Sequence, residues 1–224
     1  MSSLDTRLEL LAPDNCTVAF VDHQPLMVFG IGSIDGQTLK NNTIALAKAA
    51  RAFEVPVVLT SINPAYSGDL WPELSAAAPD AEPIERTTMN PWEDEAFVAA
   101  VTATGRRKLV LAGLWTEVCV CYPALDALAD GYDVYVVTDA CGGTTKEAHE
   151  MAVERMIQAG VVPVTWQQVL LEFQRDWARE ETYAATLDVV KEHSGAYGTG
   201  IEYVQTVVAG DASSEAPASR KPPA

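Results

Sequence analysis

Histidine is scarce in this chain. There are three in 224 residues, His23, His149 and His193, and none lies between Thr60 and Arg86. Cysteine is nearly as scarce, at Cys16, Cys119, Cys121 and Cys141. The C-x-C pair is too tight for a zinc knuckle and no second pair follows, so no metal site is expected. Free thiols, not disulfides, are the expectation for such a chain. Positive charge is also short: 15 Lys and Arg stand against 31 Asp and Glu, a net charge of -16. That balance repels polyanions, so neither nucleic acid nor an anionic membrane is an expected partner. No apolar run approaches the ~20 residues of a membrane span. Met1 to Leu11 carries Asp5 and Glu9 and lacks the basic-then-apolar order of a signal peptide, so a cytoplasmic protein is expected. The Gly30-Ile31-Gly32 pair has no third glycine and opens no helix after a strand, which excludes a dinucleotide site. No cofactor is expected.

What the chain does have is ordinary globular material. Hydrophobic residues make 48% and charged residues 21%, enough for one core at this length. We read one domain over 1–208, including C-terminal helices over 169–208. The last stretch, 209–224, has no large apolar side chain and reads as a flexible tail.

Short apolar runs alternate with helical patterns. Cys16–Val21, Val55–Thr60, Lys108–Gly113, Tyr132–Thr138 and Val161–Thr165 read as strands. Leu39–Phe53, Asp94–Thr104, Glu117–Ala129 and Lys146–Ala159 read as the helices between them. This is the rhythm of βαβ units, a parallel sheet covered on both faces. Asn63–Arg86, with four prolines, is a long excursion of the kind that builds pockets. Beyond Trp166 the pattern is helical: Val169–Glu180, Thr182–His193 and Tyr197–Val208.

Ligands of such sheets bind beyond the carboxyl ends of the strands. The polar residues expected there include Asp22, Asn63, Thr116, Cys119 and Asp139. Cys119 falls in the first turn of a helix after a strand, where unpaired N–H groups and the helix dipole favour a thiolate. Asp22 is a plausible base for it. An Asp at a strand end also serves as a cap, and a Cys in a first helical turn also serves as packing. The residues alone leave both readings open.

The stretch Lys108-Leu-Val-Leu-Ala-Gly-Leu-Trp-Thr-Glu-Val-Cys-Val-Cys-Tyr-Pro-Ala-Leu-Asp-Ala resembles the signature of the isochorismatase-like cysteine hydrolases. Ala19-Phe-Val-Asp22 resembles that family's first strand, and Gly131 to Ala140 its next strand after the signature. Ile84 to Phe97 and Met156-Ile-Gln-Ala-Gly160 look like its YcaC-type branch. The resemblance covers about residues 8 to 208. It implies a three-layer αβα Rossmann-like sandwich with a mostly parallel six-stranded sheet, and an Asp–Lys–Cys triad. Here Asp22 and Cys119 fill two places and Arg86 stands where most of the family has lysine. Arg stays protonated and cannot relay a proton, so proton transfer would rest on Asp22. The backbone N–H groups of Trp115 and Cys119 would form the oxyanion hole, with a non-proline cis peptide at Leu114–Trp115. The absence of histidine after the second strand departs from the metal-binding nicotinamidases, and Cys119 departs from the isochorismatases proper.

The expected substrate contacts are Asn63, Trp92 and Thr116. Tyr66, Trp71, Met89 and Trp92 suggest a small, partly apolar ligand. The leading reading is a cysteine hydrolase cleaving a small amide or related C–N or ester bond through a Cys119 acyl-enzyme. The alternative is a non-hydrolytic binding protein of the same fold. A redox pair of Cys119 and Cys121 is disfavoured because C-x-C on one helix aims the thiols apart. His23 should point away from the pocket, and His149 reads as a satisfied surface or interface group. The many large apolar residues after Val169, and the resemblance, imply a homo-oligomer, an octamer or a tetramer.

Overall fold

The computed structural model describes residues 6–208; the segment read above as a tail lies outside them. Six strands form one sheet: β1 (Cys16–Val21), β2 (Val57–Ile62), β3 (Ile84–Arg86), β4 (Lys108–Gly113), β5 (Asp133–Val137) and β6 (Val162–Val164). Their order is β3-β2-β1-β4-β5-β6 and every pairing is parallel. The helices are α1 (Pro25–Phe29), α2 (Gly36–Ala52), α3 (Pro64–Ser67), α4 (Pro72–Ala77), α5 (Glu95–Ala103), α6 (Cys121–Ala129), α7 (Lys146–Ala159), α8 (Trp166–Gln174), α9 (Glu180–His193) and α10 (Ala196–Tyr203).

The strands read as unbroken apolar runs because both faces are covered. Along β1, Val18 and Phe20 face one layer, with Leu39, Leu46 and Ala50 of α2, Leu170 and Phe173 of α8, and Val190 of α9. Ala19 faces the other, with Phe97 and Val101 of α5, Ala124 and Ala127 of α6, and Met156 of α7. The result is a three-layer sandwich.

Side-chain caps set the helix starts. Asp35 accepts from Thr38 N–H at 2.9 Å, so α2 begins at Gly36, ahead of the apolar pattern at Leu39. Asp94, Thr145 and Thr165 cap α5, α7 and α8 in the same way. The proline-rich excursion is partly helical: Pro64 and Pro72 open α3 and α4, where a missing N–H costs nothing. The large apolar residues after Val169 divide into two sets. Leu170, Phe173, Val189 and Val190 are core, whereas Leu171, Trp177, Tyr183, Tyr197, Tyr203 and Val204 are exposed.

The strand order fixes where a site can form. The chain leaves β1 for β2 and β3, then returns to lay β4 on the other side of β1. The crevice at this reversal lies beyond the carboxyl ends of β1 and β4. Asp22 immediately follows β1, and the segment leading to Cys119 immediately follows β4.

Phe173 tests the core assignment. It is fully buried and packs on Phe53 with ring centroids 5.6 Å apart. Phe173→Ala should cost about 3–5 kcal/mol in urea unfolding. Phe29→Ala, at a residue 89% exposed, should change stability by no more than about 0.5 kcal/mol.

Candidate active site

Asp22 occupies an unusual backbone position. Its φ is 58°, the left-handed region that only Asn, Asp and Gly enter readily. Its N–H still joins the sheet, donating to the Thr60 carbonyl at 3.0 Å, and its own carbonyl accepts from Gln24 N–H at 2.7 Å. The Gln24 amide clamps the neighbouring strand end. Its Oε1 accepts from Ile62 N–H at 2.8 Å and its Nε2 donates to the Ile62 carbonyl at 3.1 Å. The turn directs the Asp22 carboxylate into the crevice, where the side chain is fully buried.

Arg86 reaches it from the end of the edge strand β3, which is in register with Ile62 of β2. Its guanidinium contacts Asp22 Oδ2 at 2.5 Å, with neither side chain exposed. It also donates to the Thr88 carbonyl, and its Nε has no hydrogen-bond partner among the described residues. Asp22 Oδ1 is likewise without one.

Cys119 comes from the far side of the crevice and is 2% exposed. It does not stand at the start of a regular helix. Thr116–Val120 form a π-helical turn, with the Cys121 N–H donating to the Thr116 carbonyl, and α6 begins only at Cys121. The thiol lies near enough to both Asp22 and Arg86 for each to act on its ionisation. The expectation of a helix-stabilised thiolate is corrected here. Burial, then the Asp22 charge, push the Cys119 thiol up to about 12, against the opposing pull of Arg86. Burial also raises Asp22 above the usual carboxylate range, although Arg86 and Cys119 both lower it. A thiol held neutral beside a carboxylate made more basic is a proton donor facing its acceptor.

The segment between β4 and this turn contains a cis peptide at Leu114–Trp115. Leu114 N–H donates to Val21 O at 3.0 Å and Thr116 N–H to Gly142 O at 3.0 Å. The intervening Trp115 N–H has no backbone acceptor among the described residues. The Trp115 indole donates to Met27 O at 3.1 Å and lies against Gly30, where a Cβ would fall 2.8 Å from the ring. Asn63 is exposed beside Arg86: its N–H donates to the Arg86 carbonyl at 2.9 Å, and both residues line a cleft of 350 Å³.

Two expected substrate contacts lie elsewhere. Trp92 donates its indole N–H to Asp130 at 2.8 Å and packs on Phe97 and Tyr132. Asp130 lies just beyond the end of α6, so Trp92 sits as a core residue in the layer that α5 and α6 form on one face of the sheet. Thr116 is fully buried, and its hydroxyl shares a 2.8 Å hydrogen bond with His149 Nδ1, not with the crevice. His149 is therefore tied to the Cys119 turn, a link that no sequence spacing displays. His23 points away from Asp22 into the core, between Phe20 and Trp71, where burial lowers it to about 3. Cys121 packs with Ala124 and Val120 in the opposite layer, so the two thiols of C-x-C diverge. Among the described residues no group of three or more His, Cys, Asp or Glu is arranged to hold a metal ion. Nor is any helix long and apolar enough to cross a membrane.

Comparison with known proteins bears on the same residues. The isochorismatase domain model matches 16–168, which includes Asp22, Arg86 and Cys119. The probable hydrolase YcaC of Escherichia coli (strain K12) is 41% identical over 179 residues, 79% of this chain and 86% of that protein. Two solved structures superpose with a TM-score of 0.85. One is YcaC from Pseudomonas aeruginosa with hexane-2,5-diol and covalent acrylamide, 37% identical, covering 88% of this chain and 98% of that one. The other is the Escherichia coli YcaC gene product, described as an octameric hydrolase of unknown specificity, 38% identical, covering 89% and 98%. With a family model spanning most of the chain and a relative of this identity and coverage, the chain belongs to the isochorismatase family.

Proposed function

We propose that this chain is a cysteine hydrolase that cleaves a small amide, or a related C–N or ester bond, through an acyl-enzyme on Cys119. The observation that carries the reading is the meeting of Asp22, Arg86 and Cys119 in one buried crevice at the sheet's reversal point. In the reaction, Asp22 takes the thiol proton as Cys119 Sγ bonds to the carbonyl carbon. The Trp115 and Cys119 N–H groups receive the developing oxyanion. Asp22 then passes its proton to the leaving nitrogen or oxygen as that bond breaks. In the second half Asp22 takes a proton from water, the hydroxide attacks the acyl carbon, and the proton returns to the departing sulfur. Arg86 keeps its charge throughout, orienting Asp22 and offsetting negative charge. The covalent acrylamide in the Pseudomonas aeruginosa relative supports this reading, because acrylamide is an electrophile of the kind an activated thiol captures. The same crevice would serve a binding protein if the acyl group were never released.

Cys119 should be the first of the four cysteines alkylated by iodoacetamide near neutral pH, as followed by mass spectrometry. The rate should rise as Asp22 ionises, somewhat above the ordinary carboxylate range, and then level off. Asp22→Asn should slow it by about 100-fold at pH 7, the usual worth of a positioned base. In that variant only free thiolate remains, so the rate should climb about tenfold per pH unit toward the raised thiol pKa. Equal rates at pH 7 would remove Asp22 from the mechanism.

A panel of small amides and esters should give a Cys119-linked acyl adduct in the intact mass and release of the acid. Cys119→Ser should abolish both. Binding without an adduct would favour the non-hydrolytic alternative.

We also assign the exposed apolar set on α9, α10 and the turn after it to subunit contacts: Tyr183, Tyr197, Tyr203 and Val204. Light scattering coupled to size exclusion should give four or eight chains, with moderate salt aiding assembly against the -16 charge of each. A mass near 24.1 kDa at micromolar concentration would refute it.

A further inference from the structure

A π-helical turn is a poor resting place for a nucleophile unless something holds it. Its i→i+5 closure competes with ordinary α-helical closure, which needs one residue fewer. Losing that extra residue would rotate Cys119 by about 100°, one residue's step around a helix, and carry the thiol away from Asp22.

The turn is held from outside, and from one direction. Thr116, its first residue, gives its N–H to Gly142 O at 3.0 Å and shares its hydroxyl with His149 Nδ1 at 2.8 Å. Its second residue, Glu117, accepts through Oε1 from the N–H of Thr144 at 3.0 Å and from the Thr144 hydroxyl at 2.5 Å. The loop supplying these contacts is itself anchored. Gly143 N–H donates to Ser33 Oγ at 2.8 Å, and Gly143 O accepts from Gly32 N–H at 3.1 Å. The fit leaves no room for a side chain at Gly143, where a Cβ would lie 2.8 Å from His149 Cβ and 2.9 Å from Glu117 Oε2. His149 stands in the first half of α7, which packs against the turn. None of these groups touches Asp22 or Arg86 through any hydrogen bond described above.

We propose that His149, with Glu117, is a positioning residue: the pair braces the Thr116–Val120 turn in its widened form and so sets the aim of Cys119. The proposal rests on the reading of Cys119 as nucleophile, but the brace has a readout of its own.

The test compares the full-length protein with His149→Ala, His149→Asn, Thr116→Val and the His149→Ala/Thr116→Val double variant. Two quantities are measured: the rate of Cys119 alkylation by acrylamide, and deuterium uptake by the peptide covering 116–121. His149→Ala should slow alkylation by about tenfold and speed exchange in that peptide. Asn places an amide where Nδ1 stands, so His149→Asn should recover alkylation to within about threefold of the parent. The double variant should be no slower than the slower single variant, because both remove one interaction. Thermal melts report folding. If His149→Ala does not fold, the near-isosteric Thr116→Val carries the same expectations. Unchanged exchange and alkylation in a folded variant would overturn the brace, as would an Asn variant no faster than Ala. If the parent's Cys119 does not react at all, the nucleophile reading fails, while the exchange comparison still decides whether the turn is braced.

Discussion

The buried ion pair between Asp22 and Arg86 is the constraint around which the crevice is organised. Two charges removed from water carry a large desolvation cost, and their attraction offsets it only with close geometry. That geometry is supplied by backbone, not by side-chain flexibility. Asp22 is fixed by a left-handed turn whose N–H and carbonyl are both bonded, and Arg86 by register with β2. Removing either partner strands the other charge, typically at a cost of about 3–5 kcal/mol. The pair therefore ties the edge strand β3 to the central strand β1 as well as presenting a carboxylate to Cys119.

The sheet supplies location and the turns supply aim. Placing β4 beside β1 brings residues 22 and 119 to one crevice although 97 positions separate them. It cannot by itself point a sulfur at a carboxylate. That depends on the strained backbone at Asp22 and the widened turn at Thr116–Val120, two departures from regular structure on opposite sides of the crevice. Irregular backbone persists where surrounding contacts over-determine it, and here they do on both sides.

These distinctions explain how much the sequence disclosed. The strands were legible because a two-sided sheet demands unbroken apolar runs, as in Cys16–Val21 and Lys108–Gly113, and Asp22 and Cys119 follow from their ends. The short α1, α3 and α4 were hidden by proline and by length, since a helix of four to six residues has no apolar period to detect. Trp92 follows Arg86 by six residues, but nearness in sequence does not say whether a side chain meets the crevice or, as here, the helical layer of α5 and α6. The π-helical turn was invisible because TEVCV suits an α-helix equally well. Its widening comes from partners such as His149 and Thr144, 33 and 27 residues away.

Arginine in place of lysine changes the proton arithmetic of the crevice. With Arg86 permanently charged, Asp22 ionised and Cys119 protonated, the three side chains sum to zero. Taking a proton from this set leaves a net buried negative charge, which low polarity opposes. The thiol is accordingly pushed up, and burial pushes Asp22 up as well, against the pull of Arg86. The first shift holds the proton on sulfur, and the second makes Asp22 a readier acceptor for it. In the proposed reaction that proton moves from sulfur to carboxylate and on to the leaving group. The sum changes only as the substrate's own atoms take up charge. A lysine could release its proton and open a second neutral arrangement; an arginine cannot. The substitution confines the transferable proton to Asp22 and Cys119, so the alignment of those two groups, and of the turn that aims one at the other, carries the chemistry.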